Sequence, residues 1–182
     1  MALNAYDLCP CGSGKKLKFC CQNIVSEMER IQRLADGNQP RVALQQLEAL
    51  GRRVPGNAWI ETTRALILIE LNEALGARDV LRALLEVHPD HEFAIGLLAA
   101  AVFQGEGFEA AKKPMHRAFQ KSAKKYPAMV SGLASMAAMI LSRQNHLLAA
   151  REHLSLALRL SGEKQRQELF VQLLEFDGNE GI

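Results

Sequence analysis

The chain has 182 residues, a formal net charge of +2, and 48% hydrophobic but only 5% aromatic residues. That length suits one domain with a small appendage, and the near-balanced charge singles out neither nucleic acid, nor membrane, nor an acidic substrate. The longest apolar stretches, 94–103 and 128–141, are too short and too broken by Gly or Ser to span a bilayer, and the first six residues show no secretory pattern, so a cytoplasmic protein is expected.

The first element in chain order is a cluster of cysteines, Cys9, Cys11, Cys20 and Cys21, and the rest of the chain has none. So short a segment buries too little apolar surface to offset its ordering entropy, whereas four thiolates closing on one Zn²⁺ supply on the order of 10 kcal/mol. Pro10 stiffens the first pair, Gly12 and Gly14 permit the reversal, and Cys20 and Cys21 bring back the second pair. Tetrahedral four-sulfur coordination follows, with a formal charge that Lys15, Lys16 and Lys18 are placed to balance, by donating toward sulfur or by facing a partner. Disulfides would need an oxidising compartment. A phosphate loop fails because Cys9 stands at the first Walker glycine and Lys16 at the Mg²⁺-holding Ser or Thr.

The run Cys9-Pro10-Cys11-Gly12-Ser13-Gly14-Lys15-Lys16, followed by Lys18, Cys20 and Cys21, resembles the SEC-C motif, the zinc-binding tail of the translocase ATPase SecA that is also attached to other bacterial proteins. Leu17 replaces the usual aromatic residue at a position that packs beside the metal. The resemblance spans about residues 5–23. It implies a metal module whose lysines contact an export chaperone, the ribosome or acidic phospholipid, with iron in place of zinc in some relatives.

Beyond it the chain repeats. Ala43, Ala77 and Ala111 recur at a spacing of 34, as do Pro55 and Pro89, and a fourth copy begins at Ala150 after an insertion of five residues. Turn signals divide the units into helices over 24–36 and 40–54, 58–71 and 77–87, 92–104 and 108–126, 129–143 and 147–160, with Asn57 and Asp90 as N-caps. The insertion is assigned to the second helix of the third unit. A ninth helix over 163–176 carries Phe170, Leu173, Leu174 and Phe176 as an apolar face to close the stack. The period, the small contact residues and the closing proline resemble the tetratricopeptide repeat over about 24–162, in a divergent form, since Ile31, Ala65, Ala99 and Ala138 stand where the family's signature residues would be.

The expected fold is therefore all-α: a small four-cysteine zinc module (5–23), four tetratricopeptide-like helical hairpins (24–162) and a capping helix with a tail (163–182). In such a stack the first helices line a concave groove, here with Trp59, Thr62, Leu66, Ile69, Phe93, Phe103 and Met139, an apolar set suited to a peptide or helix, or to being filled by the closing helix or a dimer partner. Lys113, Arg117, Lys121 and Lys124 form a basic stripe that is either a solvated face or, with the N-terminal lysines, a surface for RNA or acidic partners. No paired carboxylates or nucleophile–base set is found, and a closed four-sulfur site leaves no position for water, so a non-enzyme is expected. Two functions remain, a protein-interaction adaptor or a redox- or metal-responsive regulator with zinc or iron. The module is expected to share little contact with the array, so that losing a cysteine disorders 5–23 alone.

Overall fold

A computed structural model of the protein describes residues 4–178, with side chains for all of them except Lys164 and residues 175–178. Its α-helices are α1 (Val25–Asp36), α2 (Pro40–Arg53), α3 (Ala58–Glu70), α4 (Ala74–Val87), α5 (Glu92–Glu106), α6 (Phe108–Lys121), α7 (Pro127–Arg143), α8 (Leu147–Leu160) and α9 (Glu163–Gly178). Two 3₁₀ turns, Leu17–Phe19 and Gln22–Ile24, lead into α1. Consecutive helices pack as four hairpins with α9 against α8, and among the described residues no helix is long and apolar enough to cross a membrane.

The period of 34 is a packing period. Ala43, Ala77, Ala111 and Ala150 are fully buried, and one turn later so are Leu47, Leu81, Met115 and Leu154. Ile31, Ala65, Ala99 and Ala138 are buried on the first helices, so methyl-sized or compact groups set the close approach at each hairpin. The turns inside the hairpins repeat as well. Asn38, Asn72 and Asn145 sit at φ of 63°, 61° and 61°, and the next residue's N–H reaches back to Leu34, Leu68 and Leu141 at 2.8, 2.8 and 2.9 Å. This left-handed closure satisfies carbonyls that a helix end would otherwise leave open. Between α5 and α6 the turn differs: Gly107, at φ 84° and ψ 179°, donates its own N–H to the Phe103 carbonyl at 3.0 Å.

Several expectations need correction. The inserted residues do not prolong α6, which ends at Lys121; they fall mainly in α7, with 17 residues against 13 in α3. Proline at 127 disfavours helical geometry at Tyr126, and the buried Ser122 hydroxyl donates to the Glu92 carbonyl at 2.7 Å, so the chain turns there and restarts. Helix α4 starts three residues early, at Ala74. The cap of α5 is His91, not Asp90: His91 Nδ1 accepts the Ala94 N–H at 3.2 Å, and Asp90 pairs with Lys121 at 3.3 Å. On α9 the buried face is Leu169 with Leu173, while Phe170 and Leu174 point outward. The side chain of Phe176 and the tail residues 179–182 lie outside the described residues.

The largest departure concerns independence. Cys9, Leu17, Cys21 and Ile24 belong to the same buried cluster as Met28, Ile31, Leu47 and Ile60, so the cysteine segment shares a core with the first two hairpins. Leu17 is only 1% exposed. Replacing the usual aromatic by leucine thus still leaves an apolar plug between the sulfurs and the array. Leu17→Ala is expected to destabilise the helical array itself by about 2–5 kcal/mol, the range for emptying a buried leucine site. Denaturant unfolding followed by far-ultraviolet circular dichroism measures this, and an unchanged midpoint would contradict the shared core.

Candidate metal centre

A short loop brings the first cysteine pair to the second. Leu8 and Lys16 bridge antiparallel, the Cys9 N–H donates to the Lys15 carbonyl at 2.8 Å, and the Gly12 N–H donates to the Cys9 carbonyl at 3.1 Å. Gly12 and Gly14 turn the chain at φ of 75° and 72°. Gly12 has a second reason to be glycine, since a Cβ there would stand 2.7 Å from His91 Nε2. The two 3₁₀ turns then present Cys20 and Cys21 back toward Cys9 and Cys11.

The four sulfurs lie within 4.8 Å of one another, and all four cysteines are free of disulfides. Cys11 and Cys20 are 3.4 Å apart at sulfur, and Cys20 and Cys21 are 3.8 Å apart. A tetrahedron of sulfurs about 2.3 Å from a central zinc has edges of about 3.8 Å, so the donor set fits such an ion in number, chemistry and spacing. Bound there, the ion would supply cross-linking of two chain segments and, with every position filled by sulfur, no open site for water.

The surroundings of the thiols differ. Burial pushes Cys9 well above the usual thiol range. Burial raises Cys21 too, opposed by a hydrogen bond from the Asn57 side chain. For Cys11 burial acts upward, but hydrogen bonds from the Ser13 side chain and backbone and from neighbouring thiols prevail and bring it down to about 7. Ser13 Oγ lies 3.3 Å from Cys20 Sγ, and Asn57 Nδ2 donates to Cys21 Sγ at 3.3 Å.

The lysines do not take the role of sulfur donors. Lys18 Nζ sits 3.9 Å from the centre of the Tyr6 ring and 4.6 Å from that of Phe19, and Lys16 Nζ is 5.6 Å from Tyr6. Lys15 and Lys16 are exposed, as are Tyr6 at 63% and Phe19 at 71%. The segment therefore turns its sulfurs and Leu17 toward the array and a basic, aromatic face toward solvent. Beside the sulfurs lies a cleft of about 650 Å³ between the segment and the hairpin junctions, lined by Cys11, Ser13, Cys20, Asn57, His88 and Asp90 among others.

The other residues singled out from sequence are placed as follows. Trp59, Leu66, Ile69 and Phe103 are half-buried and lie against the core, and Thr62 is buried with its hydroxyl donating to the Ala58 carbonyl at 2.7 Å. Phe93 packs on Tyr126 with ring centres 4.8 Å apart, and Met129 covers Gly96 next to it. Met139 is half-exposed and lines a separate cavity of about 410 Å³ that reaches Gln172 of α9. In the basic stripe, Arg117 donates to the Pro89 carbonyl and Lys121 pairs with Asp90, binding α6 to the turn before α5, while Lys113 and Lys124 are exposed. Sequence reasoning missed Asn57 and His91 as neighbours of the sulfurs. Their spacing of 34 was the signal, since it puts both at the same position of consecutive repeats.

Comparison with known proteins agrees with this architecture. The SEC-C motif matches residues 7–23. Two solved structures, a MamA RS-1 ArsTM double mutant and MamA 41-end from Desulfovibrio magneticus RS-1, each superpose with a TM-score of 0.61 at 16% identity. They cover 85% of this chain and 94% and 95% of their own. No curated protein matches the chain. The chain thus carries a SEC-C motif, whose four cysteines suit a metal ion, on an all-α, tetratricopeptide-like array of helical hairpins.

Proposed function

We propose that the protein is a non-enzymatic adaptor in which one zinc ion, held by Cys9, Cys11, Cys20 and Cys21, shapes an N-terminal docking face and the helical array carries it. The observation behind this reading is the division of the SEC-C segment into two sides. Sulfurs and Leu17 face inward, while Tyr6, Lys16, Lys18 and Phe19 gather on the outer side with a lysine over the aromatic rings, and Lys15, next to Lys16 in the chain, is exposed. A cationic surface that also offers exposed rings suits an acidic protein partner, which supplies carboxylates for the ammonium groups and apolar contact for Tyr6 and Phe19. Export chaperones and acidic ribosomal surfaces are partners of that chemistry. The cytoplasm is the compartment that keeps the thiols available for zinc.

A second reading, a redox-responsive regulator, is favoured by one feature: the Cys11 and Cys20 sulfurs lie 3.4 Å apart at the edge of the open cleft. Peroxide joining them as a disulfide would itself be reduced to water, and the site would lose two ligands. Zinc retained under mild peroxide speaks for the adaptor, and prompt release speaks for the regulator.

Two outcomes test the adaptor. Lys15, Lys16 and Lys18 changed together to Glu are expected to abolish capture of the partner from a bacterial lysate while zinc content stays at one ion per chain. Undiminished capture would contradict a docking role for this face. Zinc affinity is also expected to rise with pH, because burial holds protons on Cys9 and Cys21 that the ion must displace. Chelator competition at about pH 6 and about pH 8 reads the sign, with weaker binding at the lower value, and a pH-independent affinity would exclude sulfur ligation.

A further inference from the structure

The two helix starts that face the SEC-C segment are one repeat apart, at Asn57 and His91. Each side chain closes its own helix with one polar atom and turns a second toward the cysteine segment, Asn57 to a sulfur and His91 to Gly12. Asn57 Oδ1 accepts the N–H groups of Trp59 at 3.0 Å and Ile60 at 3.4 Å, while Nδ2 donates to Cys21 Sγ at 3.3 Å. His91 Nδ1 caps α5, and its Nε2 occupies the hollow over Gly12. The SEC-C match ends at residue 23, so both groups reach the metal segment from outside it.

The cap orients the donor. With Oδ1 committed to the first turn of α3, the amide cannot flip without opening that helix end, so its N–H remains aimed at Cys21. A cation-bound thiolate keeps excess negative charge, and an N–H donor fixed in direction holds such a sulfur in place.

We propose that Asn57 is a positioning residue for the metal: its amide, oriented by the α3 cap, holds the Cys21 sulfur in place for ligation, and so ties the grip on the ion to the start of the second repeat. This deepens the zinc reading and rests on it. The interaction lies wholly within this chain and links the short motif to the array that carries it.

Asn57→Ser keeps an N-cap acceptor, adds no charge and removes the amide donor. With the full chain loaded with one zinc, chelator competition is expected to show about tenfold weaker binding for this variant. The cobalt-substituted protein is expected to show a shifted sulfur-to-cobalt charge-transfer band, which loosened helix packing alone would not move. Helicity by circular dichroism verifies the fold. If the Ser variant fails to fold, Asn57→Thr, another capping residue without the amide, decides by the same two readouts. Wild-type affinity together with an unshifted cobalt band would overturn the role of Asn57. A wild-type chain that takes up no metal would overturn the zinc reading first, a result distinct from metal bound equally by both proteins.

Discussion

The convergence of four sulfurs from two short segments is the constraint on which the N-terminal third depends. Residues 5–23 contain no regular structure beyond one bridge and single 3₁₀ turns, and their main buried apolar group is Leu17. Backbone hydrogen bonds such as Leu17 N–H to the Asp7 carbonyl at 2.9 Å shape the loop, but they are too few to hold it against the entropy of an open chain. Cross-linking through one ion would change that balance by on the order of 10 kcal/mol. The gain is shared with the array, because Leu17, Ile24 and the buried cysteines complete the core of the first hairpins.

The array supplies the complementary half. A repeat of 34 residues does more than stack helices: it sets Asn57 and His91 at equivalent positions, where the beginnings of α3 and α5 point toward one side of the molecule. A helix start carries unsatisfied N–H groups and a partial positive charge, a favourable environment for a cluster of thiolates nearby. The same geometry explains why Gly12 tolerates no Cβ, since the His91 ring already fills that space. Surface pairs such as Arg53 with Glu27 at 2.8 Å, and Arg78 with Glu106 at 2.9 Å, decorate the hairpins without deciding their packing.

Much of this was legible in the residues. Four cysteines in one run, and alanines at a spacing of 34, are signals of composition and period that survive without any tertiary information, and both led to structure. What stayed hidden depends on direction in space. Nothing local says that the amide of Asn57 reaches a sulfur 36 residues earlier, since the same residue is fully explained as a helix cap. His91 was hidden for a related reason, as Asp90 is the better capping type and only the register of α5 puts the imidazole at the cap. The extra turn was misplaced because proline at 127 marks where a helix starts as well as where one stops. Repeat geometry also gives no sign that Tyr126, just before α7, packs on Phe93, or that Met129 of α7 lies over Gly96.

A metal-stabilised face on a helical scaffold is useful only if the ion keeps the face in a fixed relation to the scaffold, and a core common to both provides that. Hydrogen–deuterium exchange of the zinc-loaded chain, before and after adding a chelator, tests it most directly. Loss of protection in residues 5–24 accompanied by faster exchange at the first turns of α3 and α5 is the predicted result. Exchange that rises in the cysteine segment alone, with 57–61 and 91–95 unaffected, would contradict a metal centre built into the array.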